Sequence, residues 1–365
     1  MIQSGATTQE ILSPIPILQD LDFSKKQVIG FLPYWLVSKA QSDYSSYITT
    51  LTYFGLTVDV DGSILTHTSP QESEPGWYAL DSGKLDSTLS SAKTKGTALS
   101  LLVFNGNTDI IDELLNDPVL HAQRLISEVT PIMQKHQFTD LNLDIEDVSY
   151  ASDSSRLAFG QFVREVKKGM DTNHLGTLTI DVAPDAFILQ RLIDIHDLSS
   201  VVDYVVVMAY DYHYMGSQVT GPVAPLSGAG TISEYDTVSA IHLARQSLPA
   251  NKIILGIPLY GYEWETLEEA SRSATLPGSG ITASTMRIEQ LLKDCATCSA
   301  SFDTEAQEPY LIYTDQETGT VHQFFYPNAA SMQAKFDFAK KEKLGGLALW
   351  ALGYEDSTIL NPLKH

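Results

Sequence analysis

One short segment of the chain, TDLNLDIEDV, carries an amide and two carboxylates at alternate positions. Asn142, Asp144 and Glu146 alternate there with three aliphatic residues. Side chains of a β-strand point to opposite faces with a period of two, so the polar groups share one face of a predicted strand. Two carboxylates about 6.5 Å apart in a partly desolvated site repel each other unless one of them holds a proton. The spacing therefore predicts a general acid next to a second carboxylate.

The catalytic interpretation of this segment depends on the element that carries it. If the strand belongs to a closed barrel, its aliphatic face meets the surrounding helices and its polar face points inward. Barrel enzymes hold their catalytic groups at the C-terminal ends of the strands. Glu146 would then lie at the barrel mouth, Asp144 one layer below it, and Asn142 deeper still. An ordinary half-buried strand with a solvated polar face is the alternative.

Eight short apolar runs rich in β-forming residues recur along the chain, each followed by a helical pattern. The runs are Gln27–Trp35, Ile48–Leu56, Ala98–Phe104, Thr139–Glu146, Thr177–Ala183, Tyr204–Asp211, Lys252–Tyr260 and Gly345–Leu352. Near-continuous apolar runs are typical of parallel strands that are buried on both faces. Eight such strands alternating with helices predict an α/β fold, namely a (β/α)8 TIM barrel. A doubly wound open sheet gives the same alternation and is the alternative.

The interval after the seventh run is too long for a single helix. It contains a helical pattern near 284–293, and then two β-rich runs that flank a turn in PYLIYTDQETGTVHQFFY, which predicts a hairpin. We therefore expect a small α+β insertion after strand 7, at about 264–326, that builds a wall above the barrel mouth. The predicted organisation is an N-terminal extension or linker at 1–26 and a catalytic barrel at 27–365.

The charge balance excludes several classes of partner. The 365 residues include 23 Lys and Arg against 45 Asp and Glu, which gives a formal net charge of −22. Nucleic acids and anionic lipid surfaces need a basic footprint, so neither is an expected partner. No run of about 18 apolar residues is present, so we expect no membrane insertion. No nucleotide-binding loop and no metal-binding motif occurs, so we expect no cofactor and no metal.

Two further features bear on the cellular compartment. The first residues, MIQSGATTQEILSPIPILQD, lack the basic region and apolar core of a signal peptide. The two cysteines, Cys295 and Cys298 in CATC, have neither additional zinc ligands nearby nor the context of a redox site. They are interpreted as a local disulfide or as two unreactive thiols.

The catalytic segment resembles the signature of glycoside hydrolase family 18, the chitinase-like family, written D-G-x-D-x-D-x-E. Its last three polar positions match as Asn142, Asp144 and Glu146. Further segments match family motifs in the same order, namely MAYDYH at 208–213, GPVAPL at 221–226, GIPLYGYEW at 256–264 and GGLALWALG at 345–353. The resemblance covers about residues 27–356, and four motifs in register make it specific.

The sequence departs from the family pattern at several positions. Thr139 and Asp140 replace the usual Asp-Gly at the start of the signature, and Asn142 replaces a common aspartate. YGYEW stands where many chitinases have an arginine after YG. The YGY form and the C-terminal segment look more like the bacterial spore-germination and cortex-lytic branch of the family. These departures concern the substrate more than the reaction.

The resemblance implies a mechanism in which the substrate takes part. The family cleaves β-1,4 bonds next to N-acetylglucosamine with retention, and the acetamide oxygen of the substrate attacks the anomeric carbon. Glu146 would protonate the leaving oxygen and later activate water. Asp144 would orient the acetamide N–H, and Tyr210 would donate a hydrogen bond near the acetamide oxygen. Asn142 is expected to hydrogen-bond Asp144.

Five further residues are expected to bind the sugar. Trp350 would form the floor beneath the distorted sugar, although a core tryptophan at the barrel end is the alternative. Asp211 is expected to contact sugar hydroxyls, and Met208 to pack under the acetamide methyl group. Tyr34 and Trp35 are candidate sugar platforms, with plain packing of a loop as the alternative.

The predicted protein is thus a glycosidase that acts on N-acetylglucosamine-containing polysaccharides or oligosaccharides. Chitin, peptidoglycan and N-glycan cores remain open as substrates, although the net charge slightly favours a neutral glycan. A non-hydrolytic chitinase-like carbohydrate-binding protein is one alternative, and a retaining glycosidase with Asp144 as the nucleophile is another. We expect a monomer that is secreted or at the cell surface, with the targeting segment absent from this chain.

Overall fold

The computed structural model describes residues 26–295, 298 and 300–364. The predicted N-terminal extension at 1–26, apart from its last residue, therefore lies outside the described residues. The described part of the chain alternates strands and helices in the order that the apolar runs predict.

The strands follow the predicted runs closely. Their bounds are β1 Gln27–Pro33, β2 Thr50–Thr57, β3 His67–Ser69, β4 Glu72–Ser73, β5 Ala98–Asn105, β6 Asp140–Ile145, β7 Thr177–Val182, β8 Tyr204–Val207, β9 Ile253–Pro258, β10 Tyr260–Thr266, β11 Ile281–Ser284, β12 Ala300–Asp303, β13 Glu308–Thr314, β14 Val321–Phe325 and β15 Gly346–Trp350. β1, β2, β5, β6, β7, β8, β9 and β15 pair side by side in parallel and close into a barrel. The predicted (β/α)8 barrel is confirmed, and the open doubly wound sheet is excluded.

Helices connect the barrel strands. Their bounds are α1 Pro75–Asp81, α2 Asp86–Thr94, α3 Thr108–Leu114, α4 Pro118–His136, α5 Asp153–Thr172, α6 Ile195–Leu198, α7 Thr237–Ala244, α8 Thr285–Asp294 and α9 Ala329–Lys341. Side-chain caps begin several of them, as where Ser152 accepts a hydrogen bond from the backbone of Ser155 at the start of α5. None of the helices among these residues is long and apolar enough to cross a membrane.

The barrel interior is apolar on most strands and polar on two. Its buried apolar cluster consists of Ile29, Phe31, Phe54, Leu102, Val206, Ile254 and Ala348. Neither β6 nor β7 contributes to this cluster. On β6 the aliphatic residues Leu141, Leu143 and Ile145 belong instead to the large cluster outside the barrel. The polar face of β6 therefore points inward, as the alternation predicts.

The insertion after β9 is a five-stranded antiparallel sheet, in the order β11-β10-β14-β13-β12, that packs with α8. It begins with β10 at Tyr260, directly after the seventh barrel strand. Lys335 on α9 forms a 2.8 Å ion pair with Glu308 on β13, and both side chains are fully buried. Glu308 also accepts a hydrogen bond of 3.2 Å from the backbone N–H of Ala224, in the loop after β8. One buried carboxylate thus joins the insertion to two parts of the barrel.

The two cysteines lie directly after α8, at the edge of the insertion. Cys295 and Cys298 are joined by a disulfide, which is one of the two interpretations that the sequence left open. The two residues between them, at 296–297, lie outside the described residues.

Candidate active site

A cavity of about 310 Å³ opens at the C-terminal ends of the barrel strands. Its lining consists of Phe31, Phe54, Phe104, Asp144, Glu146, Asp181, Ala183, Pro184, Met208, Tyr210, Asp211 and Trp350. Six of the nine predicted site residues are in this lining, and they come from three different strand ends. The cavity is the place where barrel folds hold their chemistry.

The other three predicted residues lie outside the lining. Asn142 is buried one layer beneath Asp144, on the same face of β6. Trp35 is exposed, and its ring lies 6.4 Å from the ring of Trp350 at the rim. Tyr34 is partly buried and packs edge-on against Trp35, with 4.8 Å between ring centres. Tyr34 is therefore one step removed from the cavity, whereas Trp35 can extend its aromatic wall.

The carboxyl groups of Asp144 and Glu146 hydrogen-bond each other at the end of β6. Asp144 is buried, and the backbone N–H of Glu146 continues the pairing with β5 through a 2.9 Å bond to Asn105. Burial raises the pKa of Glu146, the hydrogen bond with Asp144 opposes that rise, and the charge of Asp211 adds to it. Burial also raises the pKa of Asp144 well above its usual value, with further contributions from Glu146 and Asp181. Such a pair shares a proton and titrates as one unit.

Asn142 does not bind Asp144 in this structure. Its amide nitrogen donates a 3.0 Å hydrogen bond to Asp181 on β7, and its carbonyl oxygen has no hydrogen-bond partner. The expected hydrogen bond between Asn142 and Asp144 is therefore absent here, because the amide N–H of Asn142 is bound to Asp181 instead. The physical reason is the register between the two strands: Asn142 pairs with Thr179, so Asp181, two residues further along β7 on the same face, lies within reach of the Asn142 amide.

Asp181 is a site residue that the sequence reasoning missed. It is only 3% exposed, and it lines the cavity together with Asp144, Glu146 and Tyr210. A signal for it was present, because TLTIDV alternates two threonines and an aspartate with aliphatic residues, as β6 does. The prediction of an apolar strand rests on Leu178, Ile180 and Val182 and takes no account of this polar face.

Tyr210 lies after β8 and is one of the cavity-lining residues. Burial raises the pKa of Tyr210 well above its usual value, and the charges of Asp181 and Asp144 act in the same direction. The phenol therefore stays protonated over the physiological range and can donate its hydrogen to an oxygen in the cavity.

Asp211 follows Tyr210 with a left-handed backbone conformation, at φ 60°. Its Oδ1 accepts hydrogen bonds from Tyr260 and Tyr262 of the insertion, the second at 3.0 Å. Burial raises the pKa of Asp211, and these two phenol donors oppose that rise. The YGY motif thus places two phenols on this carboxylate, at the place in the sequence where many chitinases have an arginine.

Trp350 ends β15 and forms an aromatic wall of the cavity. Its ring packs edge-on against Phe31 at 5.7 Å and Phe54 at 4.9 Å between ring centres. The side chain is only partly buried, so part of the indole remains free to face the cavity. Aromatic and acidic side chains together are suited to bind a sugar, whose C–H face packs on the ring while its hydroxyls donate to carboxylates.

The glycosyl hydrolases family 18 model matches residues 27–355. The chain belongs to glycosyl hydrolase family 18. A cortical fragment-lytic enzyme of Bacillus subtilis (strain 168) is 32% identical over 277 residues, which cover 72% of this chain and 58% of that enzyme. A cortical fragment-lytic enzyme of Bacillus anthracis is 25% identical over 318 residues, which cover 84% of this chain and 65% of that enzyme. The predicted family is confirmed, together with its likeness to the spore cortex-lytic branch.

Solved structures agree with the fold. The spore cortex-lytic enzyme SleL of Bacillus megaterium QM B1551 matches with a TM-score of 0.71 at 20% identity, over 93% of this chain and 73% of that one. The Group IV chitinase of Ostrinia furnacalis matches with a TM-score of 0.79 at 19% identity, over 93% of this chain and 98% of that one. The family 18 chain spans about three fifths of the length of the cortical fragment-lytic enzymes that it matches.

Proposed function

We propose that the protein hydrolyses β-1,4 bonds next to N-acetylglucosamine by substrate-assisted retaining catalysis. The observation that carries the proposal is the hydrogen-bonded pair of Asp144 and Glu146, which lies in the cavity at the end of β6. A general acid must be protonated near neutral pH, and the upward direction of the Glu146 pKa supports that role.

The reaction has two steps. Glu146 protonates the glycosidic oxygen while the acetamide oxygen attacks the anomeric carbon, so that the leaving sugar departs and an oxazolinium ion forms. Asp144 accepts a hydrogen bond from the acetamide N–H and stabilises the positive charge that develops. The phenol of Tyr210 donates a hydrogen bond to the acetamide group. Glu146 then removes a proton from water, which opens the oxazolinium ion with overall retention.

We propose peptidoglycan-type fragments as the physiological substrate, with chitooligosaccharides as ligands of the same site. The names of the two Bacillus relatives support the first part, because both are cortical fragment-lytic enzymes. Both substrates offer the N-acetylglucosamine that the mechanism needs. The net charge of −22 would repel anionic strands at low salt, and much less at about 0.15 M, where the Debye length is about 8 Å.

The test is product analysis by mass spectrometry on chitin oligomers and on purified peptidoglycan strands, each with and without 0.15 M salt. We expect turnover of both, with salt increasing the rate on peptidoglycan only. Binding of either glycan without products, in a protein that is correctly folded, would favour a non-hydrolytic carbohydrate-binding protein instead.

The acetamide requirement separates the proposal from a glycosidase in which Asp144 is the nucleophile. Chitooligosaccharides should be cleaved and the matching glucosamine oligomers should not, because the free amine cannot form an oxazolinium ion. A thiazoline analogue of that ion should inhibit competitively. Cleavage of the deacetylated oligomer at a comparable rate would favour Asp144 as the nucleophile.

We also propose that the protein works as a monomer outside the cytoplasm, secreted or at the cell surface. The disulfide between Cys295 and Cys298 supports this placement, because such bonds persist in oxidising compartments. Fractionation of the producing cells checks the location, and light scattering of the purified protein checks the oligomeric state.

A further inference from the structure

Asp181 and Asp211 are the two carboxyl groups of the described cavity lining to which the reaction above gives no task, and Asp211 is already held by two phenols. Asp181 lies at the next-to-last position of β7 and is 3% exposed. Asp144, Glu146 and Tyr210 line the same cavity. A buried acid beside a catalytic pair carries a desolvation cost, so its retention calls for a physical role.

The contact between Asp181 and Asn142 fixes the orientation of an amide. The nitrogen of Asn142 donates to Asp181 Oδ1 at 3.0 Å. A side-chain amide has one end that donates and one that accepts. Asp181 thus engages the nitrogen end of the amide, and the carbonyl oxygen at the opposite end of Asn142 is left without a partner beside its neighbour on β6, Asp144.

Two acceptor atoms on the inward face of β6 have no hydrogen-bond partner. Oδ1 of Asn142 and Oδ1 of Asp144 are both buried without a hydrogen bond. Asn142 and Asp144 are adjacent inward residues of one strand. A proton on Asp144 turns its carboxyl into a donor, and rotation of that carboxyl can then satisfy both atoms with one hydrogen bond. The carbonyl of Asn142 therefore favours the protonated form of Asp144.

The groups around Asp181 are acidic or neutral. From β6 it is faced by Asn142, Asp144, Glu146 and the deeper Asp140, and from the segment after β8 by Tyr210. No lysine, arginine or histidine occurs among the described residues that line the cavity. Burial raises the pKa of Asp181 well above its usual value, and the hydrogen bond from Asn142 opposes that rise. The protonation state of this carboxyl is thus sensitive to its neighbours.

Asp140 differs from Asp181 because its own oxygens are satisfied. It accepts hydrogen bonds from Ser100 at 2.7 Å, from Thr177 at 2.6 Å and from Thr179 at 2.9 Å. Three hydroxyl donors hold Asp140 in place below the site, and its contact with Asp181 is only electrostatic. Asp181, in contrast, forms a hydrogen bond with Asn142, which lies directly beneath Asp144 on β6.

We propose that Asp181 is a positioning residue for the hydrolysis, which holds Asn142 with its carbonyl oxygen directed to Asp144. From the neighbouring strand it thereby supplies the buried acid that the family commonly has at the position of Asn142. This inference rests on the proposed function, since it concerns the same catalytic pair.

Removing the side chain should change the pH profile in a defined direction. In Asp181→Ala the amide of Asn142 is free to turn its N–H group to Asp144, which stabilises the ionised form of that carboxyl. Loss of the neighbouring charge acts in the same direction. The pKa of Asp144 should fall, and the acid limb of the kcat profile should move down by about one pH unit.

The experiment compares four variants with the wild type on a chitooligosaccharide. Asp181→Ala should lower kcat about tenfold or more with little change in KM, since the acid does not hold the substrate. Asp181→Asn keeps an acceptor for the amide of Asn142 and should retain most of kcat. The exchange Asn142→Asp with Asp181→Asn returns the acid to β6 and should recover kcat and the acid limb. Asp171→Asn, an exposed carboxylate on α5, is the control.

Three results would overturn the inference: an unchanged kcat and pH profile in Asp181→Ala, an effect on KM alone, or an exchange variant no better than Asp181→Ala. Thermal unfolding checks the fold of each variant. If Asp181→Ala does not fold, the acid limb decides: it should lie at lower pH in Asp181→Asn than in the exchange variant, and equal limbs would overturn the inference.

Binding of a thiazoline inhibitor, measured by calorimetry against pH, gives a second readout that needs no turnover and should show the same shift. If the wild type neither binds nor cleaves the glycan, the proposed function itself is overturned. If the wild type is active and Asp181→Ala has the same kcat and pH profile, only this inference is overturned.

Discussion

The hydroxyl of Tyr262 donates a 3.0 Å hydrogen bond to Asp211, so a residue of the insertion orients a carboxylate in the cavity. Tyr262 is on β10, and Asp211 follows the sixth strand of the barrel. The insertion is therefore part of the binding site as well as its wall. An arginine at this position, as in many chitinases, would give Asp211 a positive partner, whereas a phenol gives only a hydrogen bond.

Replacing Tyr262 by phenylalanine should weaken substrate binding. Asp211 would lose one of its two phenol donors, and its pKa would rise further because Tyr260 alone would then oppose the effect of burial. A hydrogen bond of this kind contributes about 1 kcal/mol, so we expect KM to rise about fivefold with kcat little changed. Steady-state kinetics on chitooligosaccharides measure both constants. Tyr313→Phe, which removes a phenol bound to Glu263 in the same insertion, is the matched control. An equal effect of the two changes would contradict a specific role for Tyr262.

Glu146→Gln should abolish turnover and keep binding. The amide cannot donate a proton to the leaving oxygen, and general acid catalysis contributes about 10²- to 10⁴-fold in rate. In the wild type, activity should fall as pH rises through the pKa of Glu146, which burial raises above its usual value. Rate against pH, with calorimetric binding of a chitooligosaccharide to the variant, checks both statements. Glu165→Gln on α5 serves as control, and more than a tenth of the wild-type rate in Glu146→Gln would rule out the assigned role.

Lys335→Met should destabilise the fold strongly. It leaves Glu308 buried without its positive partner, and breaking a buried pair from one side costs about 3–5 kcal/mol. The free energy of unfolding in urea measures the loss. The double change of Lys335→Met with Glu308→Gln should recover a large part of it, because no unpaired charge remains. Lys341→Met, on an exposed position of the same helix, should have little effect, and an equal loss in that variant would contradict the argument.

Asp140→Asn should remove one part of the pH dependence of stability. Burial raises the pKa of Asp140 to about 6, from about 3.9 in an unfolded chain. Between these values the folded state holds the proton and the unfolded state does not, so this group makes the fold less stable as pH rises from about 4 to about 6. The difference in unfolding free energy between wild type and variant should change by up to about 3 kcal/mol over that window. Chemical denaturation at several pH values measures it, and a constant difference would exclude the effect.

The sequence predicted the barrel and its catalytic strand because both depend on local patterns. Apolar runs mark buried parallel strands, and the alternation in β6 determines which face is polar. The contacts of Asn142 were not predictable in this way, because they depend on the register of β6 against β7. The same holds for Tyr262, whose partner Asp211 is about 50 residues away in sequence, and for Tyr34, which the loop after β1 turns away from the cavity.

The described lining of the cavity contains four carboxyl groups, Asp144, Glu146, Asp181 and Asp211, and no basic side chain. An acidic substituent on a sugar would find no counter-charge there and would be excluded from the cavity. Along a polymer in which neutral and acidic sugars alternate, only the neutral sugars could then occupy it. Such a polymer would be cut on one side of each repeat, so the charges of the site alone would determine which sugar forms the new reducing end.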